Sequence, residues 1–207
     1  MRPAWIERQL VRRGIRDERV LDAMAAVPRE AFAPAEYRDE AYEDAPIPLP
    51  FGQTISQPYM VALTCEALSL SGAERVLDVG TGSGYAAAVL AELAAEVYSV
   101  ERIPELAEYA RSSLAAAGYE RVSVHVGDGT LGLPEHAPYE AIGVAAAAPT
   151  VPAALWSQLR DGGSLALPLR TGRGGRQSLC VFRRAGDKPY LVAAVPARFV
   201  PLIPGNP

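Results

Sequence analysis

The fold of this chain is indicated most directly by residues 76–84, Val76-Leu77-Asp78-Val79-Gly80-Thr81-Gly82-Ser83-Gly84. A β-branched apolar run of this kind is typical of a buried strand, and it leads into three glycines at alternate positions. Glycine has no Cβ and adopts positive φ, so the backbone can lie against a ligand where the next helix begins. Apolar residues at helical spacing from Tyr85 to Leu93 predict that helix. Such a turn is typical of a site for a nucleoside-bearing cofactor.

The spacing of the glycines distinguishes between cofactor classes. It reads G-x-G-x-G, since Tyr85, Ala86 and Ala87 supply no last glycine for the dinucleotide fingerprint G-x-G-x-x-G. The spacing therefore disfavours an NAD-dependent enzyme. Because a glycine-rich turn alone is only moderately specific, the rest of the chain has to identify the cofactor.

Composition limits the class of protein. The chain has 207 residues, of which 49% are hydrophobic, and this is enough for one α/β domain with a sizeable core. A net charge of −4 argues against a nucleic-acid surface as the main partner. Two distant cysteines, Cys65 and Cys180, give neither a disulfide framework nor metal spacing, which suits a reducing cytoplasm. Charges near the N-terminus and the lack of a long apolar run predict neither a signal peptide nor a membrane span.

The first part of the chain, residues 1–56, is predicted to form a helical and extended cover. Residues 4–26 have helical spacing that is broken at Gly14, and Asp17 is a good N-cap for the second helical stretch. Several prolines and little periodicity in 33–53 predict an extended segment there.

The next helix is predicted to begin at Ser56, with Pro58 in its first turn, and to run to about Leu70, with Gly72 at its end. The Ser56 hydroxyl has two interpretations. It caps this helix, or it lies at a helix N-terminus where backbone N–H groups favour an anion. Capping is the stronger interpretation from the residues alone.

The middle of the chain, residues 57–169, alternates between strand and helix patterns and is predicted to be the cofactor-binding core. Strands are predicted at 75–79, 96–101, 122–126, 139–144 and 164–169. Helices are predicted at 85–94, 104–117 and 151–159, with Gly162 at the end of the last one. This alternation predicts a doubly wound, mostly parallel sheet with helices on both faces and a ligand at the carboxyl ends of its strands.

The last part of the chain, residues 170–207, changes to two apolar strand patterns. They cover 177–184 and 190–200 and are joined around Gly186-Asp187, which predicts an antiparallel hairpin. All three parts together are expected to form a single domain, 1–207.

Three carboxylates stand at predicted strand ends. Glu101 is placed to accept both hydroxyls of a ribose, or else to pair with Arg102. Asp128, between two glycines, is placed to accept the exocyclic amine of adenine, or else to form an Asp-Gly turn. Asp78 is placed to reach the amino group of the cofactor or to brace the glycine turn, and the residues do not decide between these roles.

The two histidines show no sign of metal binding in the sequence. Neither His125 nor His136 has a cysteine or carboxylate partner at ligand spacing, so no metal site is expected. The chain also lacks a Gly-x-Ser-x-Gly elbow and a Walker loop.

Several motifs, in their order along the chain, resemble those of the protein-L-isoaspartate O-methyltransferases, which use S-adenosylmethionine. The matching segments run nearly from end to end and are AAVPREAF (25–32), GQTISQP (52–58), GTGSGY (80–85), SVER (99–102), GDG (127–129), AAAP (146–149) and RFVPL (198–202). The glycine turn is common to all class I methyltransferases. The segments at 25–32 and 52–58 are much narrower signatures.

The resemblance implies a set of site residues. It makes Ser56 the active-site hydroxyl. It assigns the cofactor contacts to Asp78, Gly80, Thr81, Gly82, Ser83, Gly84, Glu101, Asp128 and Gly129. It assigns the peptide-holding walls to Thr54, Ile55, Pro58, Tyr59, Phe199, Val200 and Pro201. It also implies a seven-stranded class I methyltransferase sheet, a monomer, and no metal.

The implied reaction is methyl transfer from S-adenosylmethionine to the free α-carboxylate of isoaspartyl residues in damaged proteins and peptides, leaving S-adenosylhomocysteine. Glu140, Ala145 and Tyr59 depart from the residues that are usual in the family, but none of them is assigned to catalysis. Two rival functions stay open. One is methylation of another peptide carboxylate, and the other is a non-catalytic nucleoside-binding partner protein.

Overall fold

The elements of the chain are given by a computed structural model that describes residues 2–170, 175–186 and 188–205. The strands in chain order are β1 (Ile47–Leu49), β2 (Gln53–Ile55), β3 (Arg75–Val79), β4 (Glu96–Glu101), β5 (Ser123–Val126), β6 (Tyr139–Val144), β7 (Leu159–Arg170), β8 (Gln177–Ala185) and β9 (Lys188–Ala197). The α-helices are α1 (Ala4–Gln9), α2 (Glu18–Ala26), α3 (Pro58–Leu68), α4 (Tyr85–Leu93), α5 (Pro104–Ala116) and α6 (Ala153–Gln158). In the described part of the chain, no helix is long and apolar enough to cross a membrane.

Strands β3 to β9 form one sheet in the order β5-β4-β3-β6-β7-β8-β9. The pairs from β5 to β7 are parallel, and β8 and β9 extend one side of the sheet as antiparallel strands. Side chains alternate between the two faces of a strand, so Val76 and Leu77 belong to different apolar clusters. The cluster that contains Val76 includes residues of α3 and α4, and the other includes Leu155 of α6. The predicted seven-stranded sheet with helices on both faces is confirmed.

The predicted bounds of three central strands, β3, β4 and β6, agree with the structure residue for residue. The strand predicted at 164–169 is shorter than β7, which begins at Leu159 directly after α6. Gly162 therefore does not end a helix. It lies inside β7 with φ of 78°, where the pairing with β6 shifts register between Tyr139 and Ala141. A glycine with positive φ after a helical pattern has two outcomes, a helix end or a bulge, and here it is the bulge.

The N-terminal cover packs on α4. Helix α2 begins after Asp17, whose carboxylate accepts a hydrogen bond from the backbone N–H of Arg19, as predicted for an N-cap. Met24 of α2 is buried against the hydroxyl of Tyr85, at 3.8 Å. The extended segment predicted at 33–53 is wrong in part, since it contains 3₁₀ turns at Ala35–Glu40 and Pro50–Gly52. The strand β1, between these turns, is extended as predicted. Strand β1 pairs with β2 in an antiparallel ribbon.

Helix α3 begins two residues later than predicted. Pro58 occupies its first position, so Gln57 is the N-cap residue, and no side chain forms a capping hydrogen bond. The helix ends at Leu68, because Ser69 adopts the left-handed conformation with φ of 55°, and Gly72 lies beyond that end. Ser56 therefore lies outside the helix, in the extended chain between β2 and α3.

The C-terminal hairpin is confirmed as an antiparallel pair of β8 with β9. Asp187, predicted at its turn, lies outside the described residues. Strand β9 ends at Ala197 and does not reach residue 200, because the chain then turns across the carboxyl edge of the sheet. There the Ala147 N–H donates to the Val200 carbonyl at 2.7 Å, and the Leu202 N–H donates to the Ala147 carbonyl at 2.9 Å.

Candidate active site

A cleft of about 830 Å³ opens at the carboxyl edge of the sheet. The ends of β3 and β4 form its floor, and two segments of chain, 53–56 and 200–203, form its sides. The predicted site residues that line it are Thr54, Ile55, Ser56, Gly80, Thr81, Gly82, Ser83, Glu101, Gly129, Val200 and Pro201. A smaller, mostly apolar cavity of about 390 Å³ adjoins the cleft, and Asp78 and Phe199 line it. Ser56 lines both cavities.

The glycine turn after β3 exposes its backbone at the floor of the cleft. Gly80, Gly82 and Gly84 have φ of 93°, 56° and 90°, a conformation that other residues seldom adopt. The first two face the cleft. Gly84 does not line the cleft. It faces helix α5 instead, since a Cβ at Gly84 would lie 3.0 Å from the Cγ of Leu114. Gly84 therefore permits close packing of α4 on α5.

Glu101 is held at the end of β4 with its carboxylate beside the glycine turn. Its Oε2 accepts the backbone N–H of Gly82 at 2.9 Å, and its Oε1 accepts that of Ile103 at 3.0 Å. Each oxygen keeps a further lone pair, so the carboxylate can still accept two hydroxyl groups of a ligand. The alternative pairing with Arg102 does not occur, since the Arg102 guanidinium instead contacts the Gly205 carbonyl at 3.4 Å.

Asp78 braces the glycine turn through two hydroxyl groups. The Ser99 hydroxyl donates to the Asp78 carboxylate at 2.6 Å, so the Thr81 hydroxyl, 2.5 Å from Ser99, has to be the donor in that contact. Burial raises the pKa of the Asp78 carboxyl to about 6, the Ser99 hydrogen bond acts to lower it, and the charge of Glu101 acts to raise it. Of the two roles open for Asp78, bracing is present in the structure.

Asp128 is occupied by contacts with its own loop and the C-terminal segment. Its Oδ1 accepts the N–H and the hydroxyl of Thr130 at 2.8 and 2.7 Å, and its Oδ2 accepts the Gly205 N–H at 2.6 Å. Burial acts to raise the pKa of Asp128, but the hydrogen bonds from Gly205 and Thr130 keep it below its usual value. Asp128 does not line the cleft, whereas Gly129 does. A contact of Asp128 with adenine stays a prediction.

Ser56 is free for a ligand. It is half-buried, it is not the N-cap residue of α3, and among the described residues its hydroxyl makes no hydrogen bond. The capping interpretation of Ser56 is therefore wrong, because Pro58 shifts the start of the helix. A hydroxyl without a partner at the junction of two cavities is placed to donate to a bound carboxylate.

Two of the predicted wall residues lie away from both cavities. Pro58 is buried at the start of α3, and the ring of Tyr59 is covered by the guanidinium of Arg13, 3.6 Å from its centroid. This cation–π contact occupies one face of the Tyr59 ring. Leu202, the last residue of the RFVPL motif, and the adjacent Ile203 complete the wall made by Val200 and Pro201, although neither was predicted as a site residue. The motif was therefore the signal that could have identified both.

The departures from the usual family residues have different consequences for the site. Glu140 is remote from both cavities, where its carboxylate accepts the Arg75 backbone N–H at 2.8 Å and contacts Arg160 at 3.1 Å. Ala145 lines both cavities, and a Cβ at Gly80 would lie 3.6 Å from its Cβ. Ala145 therefore forms part of the pocket floor, and Glu140 does not.

The two histidines, which have no ligand spacing in the sequence, lie close together in the fold. The structure brings His125 together with Glu135 and His136 at an outer part of the sheet, away from the cleft. This group could not be recognised in the sequence, because His125 lies on β5 and the other two residues lie in a later turn.

Comparison with known proteins gives a consistent result. The family model described as protein-L-isoaspartate(D-aspartate) O-methyltransferase matches residues 4–206. The chain is 57% identical over 203 residues to protein-L-isoaspartate O-methyltransferase 2 of Marinobacter nauticus, covering 98% of this chain and 93% of that protein. It is 51% identical over 207 residues to protein-L-isoaspartate O-methyltransferase of a Synechococcus strain, covering 98% and 85%.

Solved structures of the same name have a similar fold. One protein-L-isoaspartate O-methyltransferase superposes with a TM-score of 0.88 at 30% identity, covering 100% of this chain and 67% of that one. A putative protein-L-isoaspartate O-methyltransferase from Plasmodium falciparum, solved in complex with S-adenosyl-L-homocysteine, gives 0.83 at 24% identity, covering 97% of each chain.

Proposed function

The chain belongs to the protein-L-isoaspartate O-methyltransferase family, and from this premise we propose how its cleft serves the reaction. The enzyme transfers a methyl group from S-adenosyl-L-methionine to the free α-carboxylate of L-isoaspartyl residues in damaged proteins and peptides. The resulting methyl ester closes to a succinimide, whose hydrolysis returns part of the population to the normal aspartyl linkage.

The observation that carries the proposal is the free acceptor capacity of Glu101 beside the glycine turn. Its carboxylate accepts one backbone N–H on each oxygen and keeps a lone pair on each, which fits the two hydroxyls of a ribose. Gly129 also lines the cleft, and glycine is needed there for packing, since a Cβ would lie 2.6 Å from Val79 Cγ1. In this proposal Gly80 and Gly82 present their backbone to the cofactor, and Glu101 binds its ribose.

The reaction requires positioning of the substrate carboxylate more than acid or base catalysis. The cofactor, when bound, supplies an electrophilic methyl group on a sulfonium sulfur. A substrate carboxylate with an ordinary pKa near ~4 is already ionised at neutral pH, so no side chain has to remove a proton. We assign to Ser56 the task of donating a hydrogen bond to one oxygen of that carboxylate and thereby fixing its orientation. Proximity and orientation of this kind can contribute roughly 7–11 kcal/mol at best.

The walls of the cleft select the form of the substrate. Thr54 and Ile55 stand on one side of the cleft, and Val200 and Pro201 stand on the other. In the proposal these segments hold the peptide backbone on both sides of the isoaspartyl kink. The α-carboxylate then faces Ser56, whereas the side-chain carboxylate of a normal aspartate does not reach it. Phe199 closes the end next to the smaller cavity.

The test compares peptides that differ only in one linkage. Matched Asp, isoAsp and isoAsp α-carboxamide peptides are incubated with the enzyme and S-adenosylmethionine, and release of S-adenosylhomocysteine is measured. We expect turnover of the isoAsp peptide alone, because the carboxamide has no ionised oxygen to methylate. Equal turnover of the Asp and isoAsp peptides would assign the chain to another class of carboxylate methyltransferase. Cofactor binding without release from any peptide would indicate a non-catalytic binding protein.

Three further observations concern the cellular compartment, the partners and the oligomeric state of the enzyme. Both cysteines are buried and unpaired, which supports a reducing cytoplasm. The net charge of −4 supports the absence of a nucleic-acid partner. All the residues assigned here belong to the same chain, which is compatible with a working monomer. Light scattering of the purified protein, with and without cofactor, tests the last point.

A further inference from the structure

A group of three side chains outside the active site has the composition of a metal site. His125, Glu135 and His136 each offer one ligand atom, and these three atoms lie within 4.8 Å of one another. None of the three residues lines the cleft or the cavity beside it. The reaction assigned to the family does not use them. We propose that His125, Glu135 and His136 bind one Zn²⁺ ion.

The donor set favours zinc over the commoner divalent cations. Two imidazole nitrogens and one carboxylate oxygen suit Zn²⁺, whereas Mg²⁺ and Ca²⁺ prefer oxygen ligands alone. Zinc binds these atoms at roughly 2.0–2.2 Å in a tetrahedron. Because the three ligand atoms lie within 4.8 Å of one another, each has to move inward by less than roughly 1 Å. Side-chain rotation supplies a movement of that size. Water would complete the fourth position.

The two histidines are carried by parts of the fold that are fixed independently. His125 lies in β5, which pairs with β4 opposite Val100. His136 ends the 3₁₀ turn Pro134–His136 and is stacked on Tyr98, with ring centroids 4.1 Å apart. The two imidazole centroids are 5.1 Å apart. Zinc binding therefore requires little change in the backbone conformation.

The turn that carries Glu135 and His136 is itself held by its surroundings. The Leu133 N–H donates to the Gln158 amide oxygen at 3.0 Å, and the Leu133 carbonyl accepts the Tyr139 hydroxyl at 2.7 Å. The Arg75 guanidinium donates to the His136 carbonyl at 3.3 Å. These contacts fix the backbone from which the Glu135 and His136 side chains extend. A bound ion would join β5 to this turn and so stabilise one side of the sheet.

The alternative is that the histidines serve only in an aromatic cluster with Tyr98 and Tyr139. The test that separates these uses is calorimetric titration of the tag-free protein with zinc chloride, after treatment with chelator and dialysis. We expect one ion per chain with a dissociation constant in the micromolar range or tighter, and a higher melting temperature with zinc. The cobalt-loaded protein should show the visible absorption of tetrahedral Co²⁺. Magnesium chloride should give neither heat nor a shift in melting temperature.

Single-residue variants locate the site. His125→Gln and His136→Gln should each weaken zinc binding by tenfold or more, and Glu135→Gln should weaken it by several-fold. Glu105→Gln is a matched control, because Glu105, like Glu135, is an exposed glutamate directly after the proline that begins a helical turn. It should bind zinc as the parent chain does. Circular dichroism without metal checks that each variant is folded.

Two results would overturn the proposal. Absence of stoichiometric zinc binding by the folded parent chain would leave the histidines as members of the aromatic cluster. Binding that is equal in the parent chain and in both histidine variants would place the ion elsewhere, for example at Cys65 or Cys180. The methyl-transfer assay is not needed for either conclusion, so this test is independent of the proposed function.

Discussion

Among single residues, Ser56 shows how a shift of two residues in the start of a helix changes the role of a side chain. A serine just before an apolar helical run is typically an N-cap. Here Pro58 takes the first helical position, and Ser56 is left in extended chain with its hydroxyl directed to no partner among the described residues. Its position where two cavities meet makes it the residue whose replacement is most informative.

Ser56→Ala should lower methyl transfer to an isoaspartyl peptide by about 10- to 1,000-fold, the range for loss of one oriented donor in a closed site. Affinity for S-adenosylmethionine should change little, and the free energy of unfolding should fall by less than about 0.5 kcal/mol, because no helix cap is removed. Steady-state assays, calorimetry and urea titration measure the three quantities. Ser112→Ala, at an exposed position of α5, is the control. Near-normal turnover by the Ser56 variant would contradict the assignment.

Asp78 should make the stability of the protein depend on pH. Its pKa is raised from 3.8 to about 6 in the folded chain, mainly by burial, so the unfolded chain loses this proton at a lower pH. Stability from this group is therefore present at pH 4 and is lost as the pH rises through about 6. The loss is on the order of 3 kcal/mol, at about 1.4 kcal/mol for each tenfold change in proton affinity.

The measurement is urea unfolding of the parent chain and of Asp78→Asn at pH 4, 5, 6 and 7. Asparagine keeps an oxygen that accepts the Ser99 hydroxyl, but it has no charge to bury. The variant should gain stability relative to the parent as the pH rises from 4 to about 7. Asp39→Asn, at an exposed position, should show no such change. A pH-independent difference between Asp78→Asn and the parent chain would show that Asp78 does not titrate in this range.

Among the elements, the segment that follows β9 forms one wall of the cleft. Residues 198–205 leave the sheet and cross its carboxyl edge, held by two backbone hydrogen bonds to Ala147 and one from the Gly205 N–H to Asp128. The segment contributes four residues, 200–203, to the wall of the cleft. Asp128 thus connects the end of the chain to the loop after β5.

Asp128→Ala should loosen this segment. Hydrogen exchange measured by mass spectrometry should become faster across 198–205, because the acceptor of the Gly205 N–H is lost. The same variant tests the adenine contact predicted from the sequence. If that contact exists, the variant discriminates less well between S-adenosylmethionine and an analogue without the exocyclic amine. An unchanged affinity ratio together with faster exchange would make Asp128 a structural residue only.

At the scale of the whole molecule, the cleft is built from three separate parts of the chain. The cover supplies 53–56, the central strands supply the glycine turn and Glu101, and the C-terminal segment supplies 200–203. A ligand that contacts all three parts stabilises the folded chain relative to the unfolded chain by mass action. Cofactor binding is therefore expected to raise the stability of the entire fold.

S-adenosylhomocysteine at 100 times its dissociation constant should raise the free energy of unfolding by about 2.7 kcal/mol. Glu101→Ala should bind the cofactor at least tenfold more weakly, since loss of hydrogen bonds to a charged acceptor costs about 1.5–3 kcal/mol. At the same ligand concentration its stabilisation should be correspondingly smaller. Urea unfolding with and without ligand measures both effects, and Glu105→Ala serves as the control. Equal stabilisation of the Glu101 variant and the parent chain would rule out the ribose role.

The amino-acid sequence alone predicted the parallel sheet, the glycine turn and the bounds of β3, β4 and β6. These features depend on local properties, namely strand periodicity and the positive φ that glycine allows, and both can be read along the chain. It also placed Glu101 correctly at a strand end. Two features could be seen only once the chain is folded, namely that Asp128 binds Gly205 and that His125 lies beside Glu135 and His136. Each of these depends on contacts between segments distant in sequence, which the order of strands and the packing of the loops bring together.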